Sequence, residues 1–150
     1  MSTYIIAEIG INFNGSLDNC YKMIDVSVEA GCNAAKFQIF SAKNMYPKSA
    51  GKLDWKDDKE EYSYDIYKSV EKFELPYNWI DKLITYCEDR NINFMASVFD
   101  IDGLNIMIKK GMKVIKLSSY TITNIPLIEA AAKTGLPIIM STGGATIGET

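Results

Sequence analysis

The 150-residue sequence carries a formal net charge of −3, is 47% hydrophobic and 23% charged, and contains no histidine. That balance supports one globular domain with a real core and argues against disorder and against a nucleic-acid-binding surface, which needs an excess of Lys and Arg to meet phosphates. Without histidine there is no His-based triad, and a zinc site built within the chain is disfavoured, so any chemistry must use Lys, Glu, Ser, Thr and amide groups.

The opening residues, Met1 to Glu8, lack a basic n-region and a long apolar stretch, so neither a signal peptide nor a membrane helix is expected and the cytoplasm is the default location. A first strand is predicted over Tyr4–Ile9, followed by an amphipathic helix over Leu17–Ala30 that stops at Gly31. A second strand covers Ala34–Ile39. The next stretch, Phe40 to Leu75, is long and charged, with Lys56-Asp57-Asp58-Lys59-Glu60-Glu61 at its centre, and reads as a solvated excursion with one helix over Glu60–Lys72. Beyond it come a helix over Tyr77–Arg90, a strand over Asn93–Val98, a helix over Ile101–Lys110 and a strand over Lys113–Leu117. A helix over Pro126–Thr134 and a strand over Pro137–Ser141 complete the series, with Asn91, Gly111 and Gly135 as the remaining helix stops. Alternation of β runs with helices is the pattern of a parallel sheet covered by helices. The three cysteines, Cys20, Cys32 and Cys87, are odd in number and widely spaced, and read as reduced packing residues.

The polar residues that interrupt the strands fall on one face. In the first strand Glu8 alternates with Ala7 and Ile9; in the second, Lys36 and Gln38 share a face opposite Ala35, Phe37 and Ile39. Ser97, Lys116 and Ser141 take the matching positions in the third, fourth and fifth strands, so all five place a polar group near the same end. In a (β/α)8 barrel that C-terminal end is where active sites are built. Two inward lysines repel each other in a low-dielectric mouth unless an anion sits between them, and a substrate phosphate or carboxylate is the simplest partner. Ser97, Ser119 and Ser141, with the backbone around Ser141-Thr142-Gly143-Gly144, add neutral donors. Taken singly each residue has a plainer explanation: a lysine pairing with Glu8, or a serine serving a turn.

At these residues the sequence resembles the sialic acid synthase family. Ile5-Ile6-Ala7-Glu8-Ile9-Gly10-Ile11-Asn12-Phe13-Asn14-Gly15 is similar to its opening strand and loop, and Ala30-Gly31-Cys32-Asn33-Ala34-Ala35-Lys36-Phe37-Gln38 to its second strand. Val114-Ile115-Lys116-Leu117-Ser118-Ser119 and Pro137-Ile138-Ile139-Met140-Ser141-Thr142-Gly143 are similar to its fourth and fifth strands. The resemblance implies an α/β fold, a (β/α)8 TIM barrel of which residues 1–150 form about the first five units, with the remaining units and a small antifreeze-like domain expected beyond. It implies condensation of phosphoenolpyruvate with an N-acetylmannosamine-type amino sugar to give a nonulosonic acid and phosphate. Lys36, Ser97, Lys116, Ser119 and Ser141 then hold phosphoenolpyruvate, Gln38 contacts the sugar, and Glu8 is the catalytic carboxylate beside the reacting carbons. It further implies a divalent metal, Mn or Mg, whose histidine ligands lie outside this chain, and a homodimer as the full-length form, with no nucleic-acid or membrane partner.

Ser97 stands where the family usually has threonine, and two further sites depart from its pattern: Phe13 stands where histidine is usual, and Tyr120-Thr121 where a Gly-Glu pair is usual. Both bear on the amino-sugar side, so a legionaminic or pseudaminic type of product, or weakened activity, is also open. Two other readings remain: a barrel aldolase using a Schiff-base lysine, and a non-catalytic half-barrel that only binds. With Arg90 as the sole arginine, a phosphorylated sugar partner is disfavoured.

Overall fold

A computed structural model describes residues 3–150. In chain order its elements are β1 (Ile6–Gly10), α1 (Leu17–Glu29), β2 (Ala34–Ile39), α2 (Ala42–Met45), β3 (Lys52–Lys56), β4 (Glu61–Asp65) and α3 (Ile66–Lys72). There follow α4 (Ile80–Glu88), β5 (Asn93–Val98), α5 (Ile101–Lys109), β6 (Ile115–Leu117), α6 (Ile125–Lys133) and β7 (Ile138–Met140). Five strands form one parallel sheet in the order β1-β2-β5-β6-β7. Strands that neighbour in this order and are joined by helices are the arrangement of successive (β/α) units, as the alternation of runs in the sequence predicted.

The helix ends follow local chemistry. Ser16 caps α1 by accepting from the Asn19 N–H at 3.3 Å, and Asn124 caps α6 by accepting from Leu127 at 3.2 Å, with Pro126 in its first turn. The four expected stops, Gly31, Asn91, Gly111 and Gly135, all have positive φ. At Asn91, with φ of 57°, an L side chain occupies the left-handed region, which asparagine tolerates better than most residues.

Ala35, Phe37, Ile39, Ala96, Val98, Ile115 and Leu117 point to the helical side and join Cys20, Ile24, Leu83, Cys87 and Leu104 in one core. Burial pushes the thiols of Cys20 and Cys87 up to about 11 and about 12, which keeps them protonated and unreactive, and all three cysteines are free. Phe13 is fully buried in this core, its ring centroid 6.4 Å from that of Phe37 and 6.4 Å from that of Trp79. It therefore faces the helices and not the strand ends, and the expectation that it bears on the sugar side is corrected: here an aromatic ring fills core volume.

The excursion after β2 also departs from expectation. Residues 60–65 belong to a hairpin in which β3 and β4 pair antiparallel, and the helix begins only at Ile66, capped by the Asp65 carboxylate accepting from Lys68 at 2.9 Å. The cause is a period of two. Leu53, Trp55, Tyr62 and Tyr64 share one hairpin face with Trp55 stacked on Tyr62 at 5.2 Å, while Lys52, Asp54, Lys56, Glu61, Ser63 and Asp65 share the other. The charge run is the turn itself. The Asp57 carboxylate accepts from the Lys59 and Glu60 N–H groups at 2.8 and 2.7 Å, bonds that hold it below the usual carboxylate range.

Replacing Phe13 by histidine puts an imidazole without a hydrogen-bond partner into a closed aromatic site, and should cost about 2–3 kcal/mol of stability in urea denaturation. Unchanged stability would contradict this placement of residue 13.

Candidate active site

The inward face of the sheet carries Glu8, Lys36, Gln38, Ser97 and Lys116 in adjacent register. Glu8 lies opposite Lys36, Gln38 opposite Ser97, and Ser97 opposite Lys116. Parallel pairing in register turns the period-two alternation of separate strands into a continuous polar patch, because partners across a ladder share a face.

Lys36 is the buried member, with 7% of its side chain exposed. Its ammonium forms an ion pair with the Glu8 carboxylate and donates to Ser97 Oγ at 3.3 Å. Glu8 keeps 57% of its side chain exposed, so one partner of the pair is wet and the other dry. On the far side of Ser97 the Lys116 ammonium donates to Ser141 Oγ at 2.7 Å and to the Leu117 carbonyl at 2.6 Å. Burial lowers the affinity of Lys116 for its proton, the nearby Lys36 ammonium lowers it further, and Glu8 acts the other way. Lys36 and Glu8 thus both bear on Lys116 from across the patch.

The rim above the patch is tied by Ser119 and Gly143. Ser119 Oγ accepts from the Gly143 N–H at 2.9 Å, and a Cβ built on Gly143 would lie 3.0 Å from that oxygen, so a side chain at 143 would break the link. Gln38, Ser118 and Ser119 line a chamber of about 430 Å³ at the same rim. Every residue expected at the site thus reaches one end of the sheet, and Ser97 serves as the hydroxyl between the two lysines. Thr121 does not join them: it is 2% exposed, with its hydroxyl donating to the Ser118 carbonyl at 2.9 Å.

Asp100 escaped the sequence reading. Buried at the end of β5, it accepts from Gly103 N–H at 2.6 Å as the α5 cap, from Ser41 N–H at 3.3 Å and from Asn44 Nδ2 at 3.2 Å. It fastens the chain leaving β2 to the end of β5 and so fixes the rim beside Gln38. The signal was an Asp placed directly before the apolar start of α5.

A divalent metal does not fit these residues. The chain has no histidine, and among the described residues no group of three or more His, Cys, Asp or Glu side chains is placed to hold an ion. None of the described helices is long and apolar enough to cross a membrane.

Comparison with known proteins adds a relationship to this geometry. The profile of the NeuB family matches residues 23–150. The chain is 36% identical over 146 residues to the spore coat polysaccharide biosynthesis protein SpsE of Bacillus subtilis, covering 97% of this chain and 38% of that protein. It is 35% identical over 147 residues to the N,N'-diacetyllegionaminic acid synthase of Campylobacter jejuni, covering 98% of this chain and 44% of that protein. The crystal structure of a sialic acid synthetase from Leptospira borgpetersenii, in complex with citrate, superposes with a TM-score of 0.84 at 32% identity, over 99% of this chain and 47% of that one. The chain therefore spans less than half the length of each of these relatives.

Because protonated Lys116 attracts an anion and its proton is held less tightly than that of an ordinary lysine, affinity for inorganic phosphate should fall as pH rises through a value below the usual ammonium range. Lys116→Arg should move this alkaline limb to higher pH, as calorimetric titration across pH would show. A limb at the ordinary lysine position would contradict the partial burial of Lys116 and the neighbouring Lys36 ammonium.

Proposed function

The chain belongs to the NeuB family, and on that premise we propose that it is the N-terminal part of a (β/α)8-barrel synthase that condenses phosphoenolpyruvate with an N-acetylated amino sugar to give a nonulosonic acid and phosphate. The observation that carries this reading is one partly dry face that holds two lysines and a single carboxylate, with Lys36 paired to Glu8 and Lys116 held by hydroxyl and carbonyl oxygens alone. Phosphoenolpyruvate brings a phosphate and a carboxylate on three carbons, and such a dianion answers the excess positive charge.

In this reading Lys36, Ser97, Lys116, Ser119 and Ser141 hold the anionic ends, and Gln38 presents its amide to the sugar. C3 of phosphoenolpyruvate attacks the sugar aldehyde, whose oxygen takes up a proton to become a hydroxyl, leaving C2 positive; water adds there and gives up a proton, and phosphate departs by cleavage of its bond to C2 as the C2 carbonyl forms. Glu8, exposed beside the lysine patch, in this reading offsets the charge at C2 and takes a proton from the incoming water. Lys36 holds that carboxylate in position through the ion pair. The divalent metal implied by the family resemblance would be held by residues other than these. The same reading makes the working protein a cytoplasmic homodimer that binds neither nucleic acid nor membrane.

One observation favours a second reading. A partly buried lysine with a weakened hold on its proton, as Lys116 is, suits a Schiff-base aldolase. Borohydride reduction in the presence of pyruvate would trap a covalent adduct on Lys116 in that case and leave the protein unmodified in ours.

Calorimetric titration with phosphoenolpyruvate should give saturable binding, and Lys116→Ala should weaken it by about 10-fold or more, the scale of a lost charge-assisted contact. Phosphate release with manganese and an N-acetylated mannose-type sugar should accompany it. Absence of saturable binding, or binding indifferent to Lys116, would overturn the proposal.

A further inference from the structure

The chamber beside Gln38 and Ser119 differs in chemistry from the lysine patch it adjoins. Phe40, Phe73, Phe99 and Tyr120 supply its walls, and no Asp, Glu, Lys or Arg lines it. The Tyr120 hydroxyl donates to the Tyr46 hydroxyl at 3.1 Å, which links the turn after β6 to the chain after α2 and closes one side. Phe99 packs edge-on to Phe40 with centroids 5.6 Å apart and lies 6.2 Å from the Tyr120 ring. The bond to Tyr46, with burial, pushes the Tyr120 hydroxyl up to about 12, so this wall stays neutral. Ser118 lines the chamber with a buried hydroxyl oxygen that has no hydrogen-bond partner in the protein.

A phosphate entering this space would lose water and meet rings without a cation. A methyl group would meet aromatic faces at van der Waals distance, and a neighbouring amide could reach Ser118 or Gln38. Resting on the function proposed above, we infer that this chamber selects the acceptor sugar, with Phe99 and Tyr120 receiving an uncharged methyl-bearing substituent, an acetamido or a deoxygenated carbon, and excluding a phosphorylated one. Thr121 thus stands where the resemblance places a carboxylate and Tyr120 where it places a glycine: Tyr120 supplies a ring, and Thr121 turns its hydroxyl to the backbone.

The test is calorimetry and saturation-transfer NMR on the protein with phosphoenolpyruvate present, using N-acetylmannosamine 6-phosphate, N-acetylmannosamine and a di-N-acetylated 6-deoxy mannose. Affinity should rise along that series by about 10-fold or more from first to last, the range a hydrophobic pocket gains from a well-placed methyl, with transfer strongest at the methyl protons. Tyr120→Gly should flatten the series and Tyr120→Phe should keep it. Phosphoenolpyruvate is titrated into the same samples, and its failure to bind would overturn the underlying reading and this inference together. With phosphoenolpyruvate bound, equal affinity for the three sugars, preference for the phosphorylated one, or no sugar binding would overturn this inference alone.

Discussion

Two ammonium groups and one carboxylate act on one another across the inward face of a parallel sheet, and the rest of the site follows from that imbalance. Glu8 neutralises Lys36, and nothing comparable stands beside Lys116, whose contacts are a hydroxyl and a carbonyl. A partly buried excess of positive charge is costly in a folded protein unless a ligand completes it. Serine hydroxyls and a glycine N–H at the strand ends add donors without adding charge. Such a face is suited to a small dianion, and an extended polyanion would find no comparable stripe of cations on a chain of net charge −3.

Parallel pairing in register is what assembles the patch. Lys36, Ser97 and Lys116 come from three strands separated by helices, and each sits on its face because of a period of two within its own strand. This much was legible in the sequence: alternation assigns the face, and the Gly and Asn stops assign the helix ends. The pairing of Lys36 with Glu8 was also readable as a possibility, but only the register, which sets Glu8 opposite Lys36, decides it.

Where reading from sequence ran out, the reason was tertiary. Phe13 lies in a short polar loop, and no local pattern reveals that its ring turns inward onto Phe37 and Trp79. The residues of β4 form part of a charged stretch with helical composition, and only the partner strand shows that Tyr62 and Tyr64 share a face with Leu53 and Trp55. The aromatic chamber draws on five separate stretches of chain, so its neutrality could not be seen in any one of them. Tyr120-Thr121 looked like the loss of a sugar contact; in three dimensions Tyr120 is part of a wall and Thr121 part of the backbone support beneath it. The rim therefore divides the labour, with a cationic, hydroxyl-rich patch across β2, β5 and β6 and an uncharged aromatic chamber formed largely by the chain that leaves these strands.

A crystal structure of the protein soaked with phosphoenolpyruvate tests the central claim most directly. The account predicts the ligand over Ser97, with one anionic end within hydrogen-bond reach of Lys36 and the other of Lys116. Phosphoenolpyruvate bound elsewhere, or a patch whose two ammonium groups turn away from a common ligand, would contradict it.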